Sequence, residues 1–195
     1  MKKLMLICFV LASTRGFSQG FVQGMMQRLQ FGLKAGVNYS NYANADFQTD
    51  ALVGFHAGAI MDFRLTKNLF IQEEFLFSSQ GAKVKGDVFG KDNVTVNYLT
   101  IPFMLKYRTN FGLYVVAGPQ VGQRLNENVG NKQIGDFAQK LDLSAVGGLG
   151  FQSKCGLGIE ARYVAGISKV GSFQLSDVKT NFQNSVAQAS IFYIF

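Results

Sequence analysis

The stretch "GLGIEARYVAGI", residues 156–167, decides the fold. Read two residues at a time, it sets Leu157, Ile159, Ala161, Tyr163, Ala165 and Ile167 against Gly158, Glu160, Arg162, Val164 and Gly166. Successive side chains of an extended strand point to opposite faces, so one face is apolar while the other carries an acid and a base among glycines.

The same division recurs along the chain. "FGLKAGVNYS" puts Phe31, Leu33, Ala35, Val37 and Tyr39 opposite Gly32, Lys34, Gly36, Asn38 and Ser40. Val53 to Leu65 sets Val53, Phe55, Ala57, Ala59, Met61 and Phe63 against Gly54, His56, Gly58, Ile60, Asp62 and Arg64, and Ser185 to Phe195 aligns Ala187, Ala189, Ile191, Tyr193 and Phe195. Leu69–Ser79, Tyr98–Arg108, Phe111–Gly122 and Leu141–Gln152 complete eight segments. Each has the roughly ten-residue length of a tilted membrane strand. Glu73 falls on an apolar face, which suits only a membrane boundary, and Pro102 and Pro119 cannot donate to a ladder, so bulges or strand ends are expected there.

Connections alternate in length. "RLTKN", "RTN" and "SKC" are short, while "NYANADFQTDA", the stretch around "GAKVKGDVFGKDN", the stretch from Arg124 to Lys140 and that from Ser168 to Asn184 are long. The fold class that follows is all-β: an eight-stranded antiparallel up-and-down transmembrane β-barrel, with short periplasmic turns and longer extracellular loops.

The beginning of the chain agrees with export. Lys2 and Lys3, an apolar run from Leu4 to Ala12 and a small, polar continuation have the layout of a secretory signal peptide, cleaved after Ser18. The run covers about ten residues where a spanning helix needs about twenty. Residues 1–18 are therefore expected to be the signal, 19–30 a short arm and 31–195 the barrel, located in the outer membrane. Losing Lys2, Lys3 and Arg15 lowers the formal charge from +7 to about +4, and the remaining bases are scattered, which argues against nucleic acid as a partner. Cys8 lies inside the apolar run, so Cys155 would be the one cysteine left and no internal disulfide could form.

A soluble barrel of lipocalin type would fill its interior with apolar groups or a ligand and show water a polar exterior. Here the glycine-bearing face holds Lys34, Asp62, Arg64, Glu74, Lys106, Arg108, Asp142, Glu160 and Arg162, and the other face offers lipid almost no charge. Facing one another across a narrow lumen, these nine can pair and share water, so a barrel-interior charge network is expected.

"FGLKAGVNYSN", "FIQEEFLFSSQGAKV", "YLTIPFMLKY", "GLYVVAGPQVG" and "VGGLGFQSKCGLGIEARYVAGISKV" resemble, in order, the strands of the PorT-type outer-membrane β-barrel domain found in Bacteroidetes. The resemblance covers nearly all of the mature chain and implies the fold. Named PorT proteins are tied to protein secretion across the outer membrane and to gliding, though no motif here marks this chain as that member. Where the family often has a proline before its strand-three acid, this chain has Glu73.

Catalysis has little to work with. The lone histidine, His56, falls on the inward face of a strand and reads as a satisfied interior residue. Glu160 and Arg162 read as an ion pair, "GGLG" lacks the strand-to-helix context of a phosphate loop, and Cys155 reads as a tolerated thiol in a turn. No metal cluster or cofactor is expected. About eight strands enclose only enough room for side chains, so an open pore is not expected either. The function expected is structural or accessory, or that of a subunit of an envelope complex. A loop-mediated receptor or adhesin, with Tyr42, Phe47 and Phe89 as exposed aromatics, is the alternative. The partners expected are outer-membrane lipid, other envelope proteins and the barrel-assembly machinery. The closing Ile191, Tyr193 and Phe195 resemble the C-terminal signal which that machinery reads.

Overall fold

The computed structural model describes residues 24, 26–43, 49–84, 93–129, 141–167 and 183–195. The proposed signal, the middles of the long connections (44–48, 85–92, 130–140 and 168–182) and with them Phe47 and Phe89 lie outside the described residues. The strands are β1 (Leu29–Ala43), β2 (Thr49–Arg64), β3 (Leu69–Val84), β4 (Asn93–Arg108), β5 (Leu113–Val129), β6 (Leu141–Gln152), β7 (Leu157–Gly166) and β8 (Gln183–Ile194). Each pairs antiparallel with its sequence neighbours, and β8 returns to β1 to close the barrel. The closing seam is long, running from Gly32 opposite Ile194 to Ala43 opposite Gln183, so no strand edge is left to lipid.

Several strands run past the segments legible from alternation, mostly toward the long connections. β3 continues from Ser79 to Val84 and β4 begins at Asn93 rather than Tyr98. β1 begins at Leu29, opposite Phe63, two residues ahead of the alternating segment.

Alternation sorts the side chains to opposite sides of the wall. Leu33 is 61% exposed, and Val37, Phe103, Leu149 and Ile159 likewise point outward, while Lys34, Gln72, Glu74, Lys106 and Arg162 are buried inside. The inner apolar residues Ile60, Met104, Tyr114, Val116, Val146, Val164, Val186, Phe192 and Ile194 form a second, smaller part of the filling.

The expected bulges at the prolines are absent. Pro102 pairs with Gln120, and the same register resumes at Leu105 with Ala117; Pro119 pairs with Ala145 in an unbroken β5–β6 ladder. One missing N–H removes one donor without adding a residue, so register survives when the flanking carbonyls stay paired. The shifts occur between Ala51 and His56 against β3, and between Asn97 and Tyr98 against β5, both toward the long-connection end.

Two short turns share one construction. Thr109 N–H donates to Leu113 O at 2.8 Å and Gly112 N–H to Thr109 O at 3.1 Å, and Ser153 with Leu157 and Gly156 repeats the pattern at 2.8 and 3.1 Å. Gly112 (φ 105°) and Gly156 (φ 92°) take the left-handed conformation that such hairpins require. Phe111 thus belongs to a turn rather than to β5.

Candidate functional site

The described site is the filled lumen. At its centre β1, β3 and β7 bring two cations and two anions together. Lys34 Nζ lies 2.7 Å from Glu74 Oε1 and also bonds Glu160 Oε1. Arg162 Nη1 lies 2.6 Å from Glu74 Oε2 and 3.7 Å from Glu160 Oε1. Neutral donors supply what the ions leave over: Tyr114 OH donates to Glu160 Oε2 at 2.9 Å and Gln72 Nε2 to Glu74 Oε1 at 2.7 Å. Charge balances within this group, as burial of ions demands.

A neutral chain extends from it. Arg162 Nε donates to Gln188 Oε1, and Gln188 Nε2 to Asn38 Oδ1 at 2.6 Å. His56 Nδ1 stands 2.7 Å from that same Asn38 oxygen and Nε2 stands 2.8 Å from Ser190 Oγ. Asn38 Oδ1 can only accept, which assigns the ring proton to Nδ1 and makes Nε2 the acceptor of the serine hydroxyl. Both ring nitrogens are thereby engaged.

Nearer the short turns, Lys106 Nζ pairs with Asp62 Oδ2 at 2.8 Å and lies 4.4 Å from the centre of the Tyr114 ring. Arg108 Nη1 donates to Gln152 Oε1 at 2.6 Å, and its guanidinium stacks 4.5 Å from the centre of the Phe70 ring. Cation–π contacts of this kind contribute about 0.5–2 kcal/mol each.

Of the nine residues singled out by sequence, Lys34, Glu74, Glu160 and Arg162 form the central group, and Asp62 with Lys106 forms a separate pair. Asp142 is buried toward the long-connection end and accepts from Ser144 Oγ at 2.8 Å. Arg108 is half-buried at the mouth. Arg64 departs from the expectation: as the last residue of β2 its side chain leaves the lumen, is exposed, and among the described residues reaches only the Gln27 carbonyl at 3.4 Å.

Sequence reading missed the neutral members, Tyr114, Gln72, Gln152, Gln188, Asn38 and Ser190. Their signal was present as polar or aromatic residues at inward positions, but which ones meet depends on cross-barrel neighbours. The glycines show this dependence. A Cβ on Gly150 would strike the Tyr114 ring, one on Gly158 the Phe192 ring, and one on Gly36 the His56 ring. Each of these three rings occupies the space that a neighbouring glycine leaves open.

Glu73 sits between fully buried Gln72 and Glu74 and therefore faces outward, opposite Met61 and Phe103. Cys155 is exposed in the β6–β7 turn with its Sγ 3.0 Å from Ser153 Oγ; that hydrogen bond holds the thiol below its usual pKa. Among the described residues no group of three or more His, Cys, Asp or Glu could hold a metal ion.

A closed antiparallel barrel with ions inside and leucine, valine and phenylalanine outside is a membrane-spanning β-barrel, because only a lipid surround makes that inverted distribution favourable. A model of the outer membrane protein β-barrel domain matches residues 17–171. The chain belongs to that family, whose members reside in the outer membrane. Neisserial surface protein A is similar in structure, with a TM-score of 0.56 at 13% identity over 86% of this chain and 97% of that one. Ail, the attachment invasion locus protein of Yersinia pestis, gives 0.51 at 15% identity over 85% and 98%. OprG from Pseudomonas aeruginosa gives 0.50 at 11% over 85% and 95%. At such identities the likeness is one of fold. No curated protein matches the sequence.

Proposed function

We propose that this protein is a non-conducting outer-membrane barrel acting as a structural or accessory subunit of an envelope complex. The observation that carries the reading is the Lys34–Glu74–Arg162–Glu160 group, which crosses the lumen at its centre with Tyr114 packed against it. An eight-stranded barrel filled in this way leaves its outer wall and loops, rather than a channel, to meet other molecules. The resemblance of five segments in order, covering β1 and β3 to β7, to PorT-type barrels supports a role connected with secretion. In planar bilayers the purified barrel is expected to give no steady unitary current; reproducible open steps would overturn the reading. In cells, replacing the long loops by short Gly/Ser turns should leave crosslinked envelope partners in place. Loss of a bound ligand on that replacement, with unchanged envelope contacts, would favour the receptor or adhesin alternative.

The orientation we propose places the short turns in the periplasm, the export signal at residues 1–18 having been removed. Cysteines introduced at Asn44, Asp87, Asn131 or Asp177, in a Cys155→Ser background, should react with an impermeant maleimide on intact cells. Cysteines at Thr66 or Asn110 should react only after the outer membrane is permeabilised. The reverse pattern would invert the topology.

A further inference from the structure

Charge is distributed unevenly along the barrel axis. The short-turn end carries Arg28, Arg64, Lys67, Arg108 and Lys154. No Asp or Glu occurs at residues 26–30, 64–68, 108–112 or 152–156. Among the described residues none of the five cations stands within salt-bridge distance of a carboxylate; Asp62, deeper in the lumen, bonds Lys106 through Oδ2 at 2.8 Å. Lys67 and Lys154 are exposed, whereas Arg108 is a positioned group, held by Gln152 at 2.6 Å and by the Phe70 ring. The three turns and the end of β8 surround a cavity of about 420 Å³ whose lining includes Lys67, Asn68, Arg108, Asn110 and Lys154.

Depth identifies what these cations meet. Leu65, Phe111, Phe195 and Tyr193 are exposed apolar or aromatic residues at the same end, marking the lower border of the lipid-facing wall. The turn cations Lys67 and Lys154 beside that border lie at the level of the headgroups, and Arg108 faces the same space from inside the mouth.

We propose that the short-turn rim is a binding site for anionic phospholipid, whose headgroup phosphate is received between Lys67, Arg108 and Lys154. Lysine ammoniums act as point charges there, and the Arg108 guanidinium supplies directed donors. Such a site would hold the barrel at a fixed depth in one leaflet, whichever protein it serves.

The test is retention of phosphatidylglycerol against phosphatidylcholine of matched chains by the delipidated full barrel in native mass spectrometry, with heat-modifiable gel mobility reporting folding. Wild type should retain phosphatidylglycerol on the order of a hundredfold better, about fivefold for each of the three cations. A Lys67→Gln, Lys154→Gln variant, which leaves Arg108 and the lumen intact, should lose about fivefold per neutralised cation. Lys67→Arg with Lys154→Arg should restore retention, and added sodium chloride should weaken it. Equal retention of the two lipids, or unchanged retention by the glutamine variant, would overturn the proposal. So would displacement by inorganic phosphate beyond that caused by sodium chloride of the same ionic strength, which would make free phosphate the ligand.

Discussion

Glu74→Leu is expected to destabilise the folded barrel by about 3–5 kcal/mol, while Glu73→Leu, one residue away, leaves it unchanged or up to about 2 kcal/mol more stable. Glu74 accepts from Lys34, Arg162 and Gln72 in the buried lumen. Without it two buried cations share Glu160 alone, and the Arg162 contact to that carboxylate is already 3.7 Å. Glu73 makes no such bonds among the described residues; it stands on the outer wall opposite Met61 and Phe103, where a leucine is the better match to lipid. Glu74→Gln, which keeps acceptor and shape but not charge, should fall between. The measurement is unfolding in urea of barrels refolded into vesicles, followed by gel mobility before and after boiling. Equal midpoints for the two leucine variants would mean that Glu74 is not held in a packed, ion-paired interior.

Deleting Phe195 is expected to reduce assembly severalfold and leave precursor in the periplasm. Two contributions end there together. Phe195 N–H donates to Phe31 O at 2.8 Å, the last bond of the seam between β8 and β1, and the ring packs edge-on against Tyr193 with centroids 5.6 Å apart. The ring is also 74% exposed on the outer wall, where an assembly factor or lipid can reach it. Phe195→Ala separates these effects, since it keeps the backbone bond and loses the ring. If the closing aromatic is read during assembly, the alanine variant should fail nearly as badly as the deletion, with Ile191 and Tyr193 substitutions milder. If assembly of the deletion proceeds at the wild-type rate and level, the aromatic is lipid-facing surface only. Gln188 is unsuitable as a silent control, because it bonds both Arg162 and Asn38 inside the lumen. Ala187→Ser, on the outer face of the same strand, serves instead.

The fold was legible because strand alternation is local: a residue's face follows from its parity alone, and parity survives whatever lies across the barrel. That is why Lys34, Glu74, Glu160 and Arg162 could be placed on one face without knowing their partners. It is also why Glu73 could be placed outward despite its charge. Parity carries no information about height. Arg64 shares the parity of Asp62 but ends its strand, so its side chain passes out of the mouth. The prolines misled for a related reason, since a missing donor is visible in sequence while the tolerance of the ladder around it is not.

The sequence by itself determined the barrel, its strand count, the alternation of short and long connections, and the inversion of polarity that puts it in a membrane. Each is encoded in residues close to one another along the chain. Tertiary structure alone decided which ions pair, with Lys34 joined to Glu160 across 126 positions and Gln188 to Asn38 across 150. It also decided which glycine makes room for which ring, and that five cations gather at one rim without a salt bridge among the described residues. Those contacts depend on the register of eight strands around a closed circuit, a sum of choices that no single stretch of sequence contains.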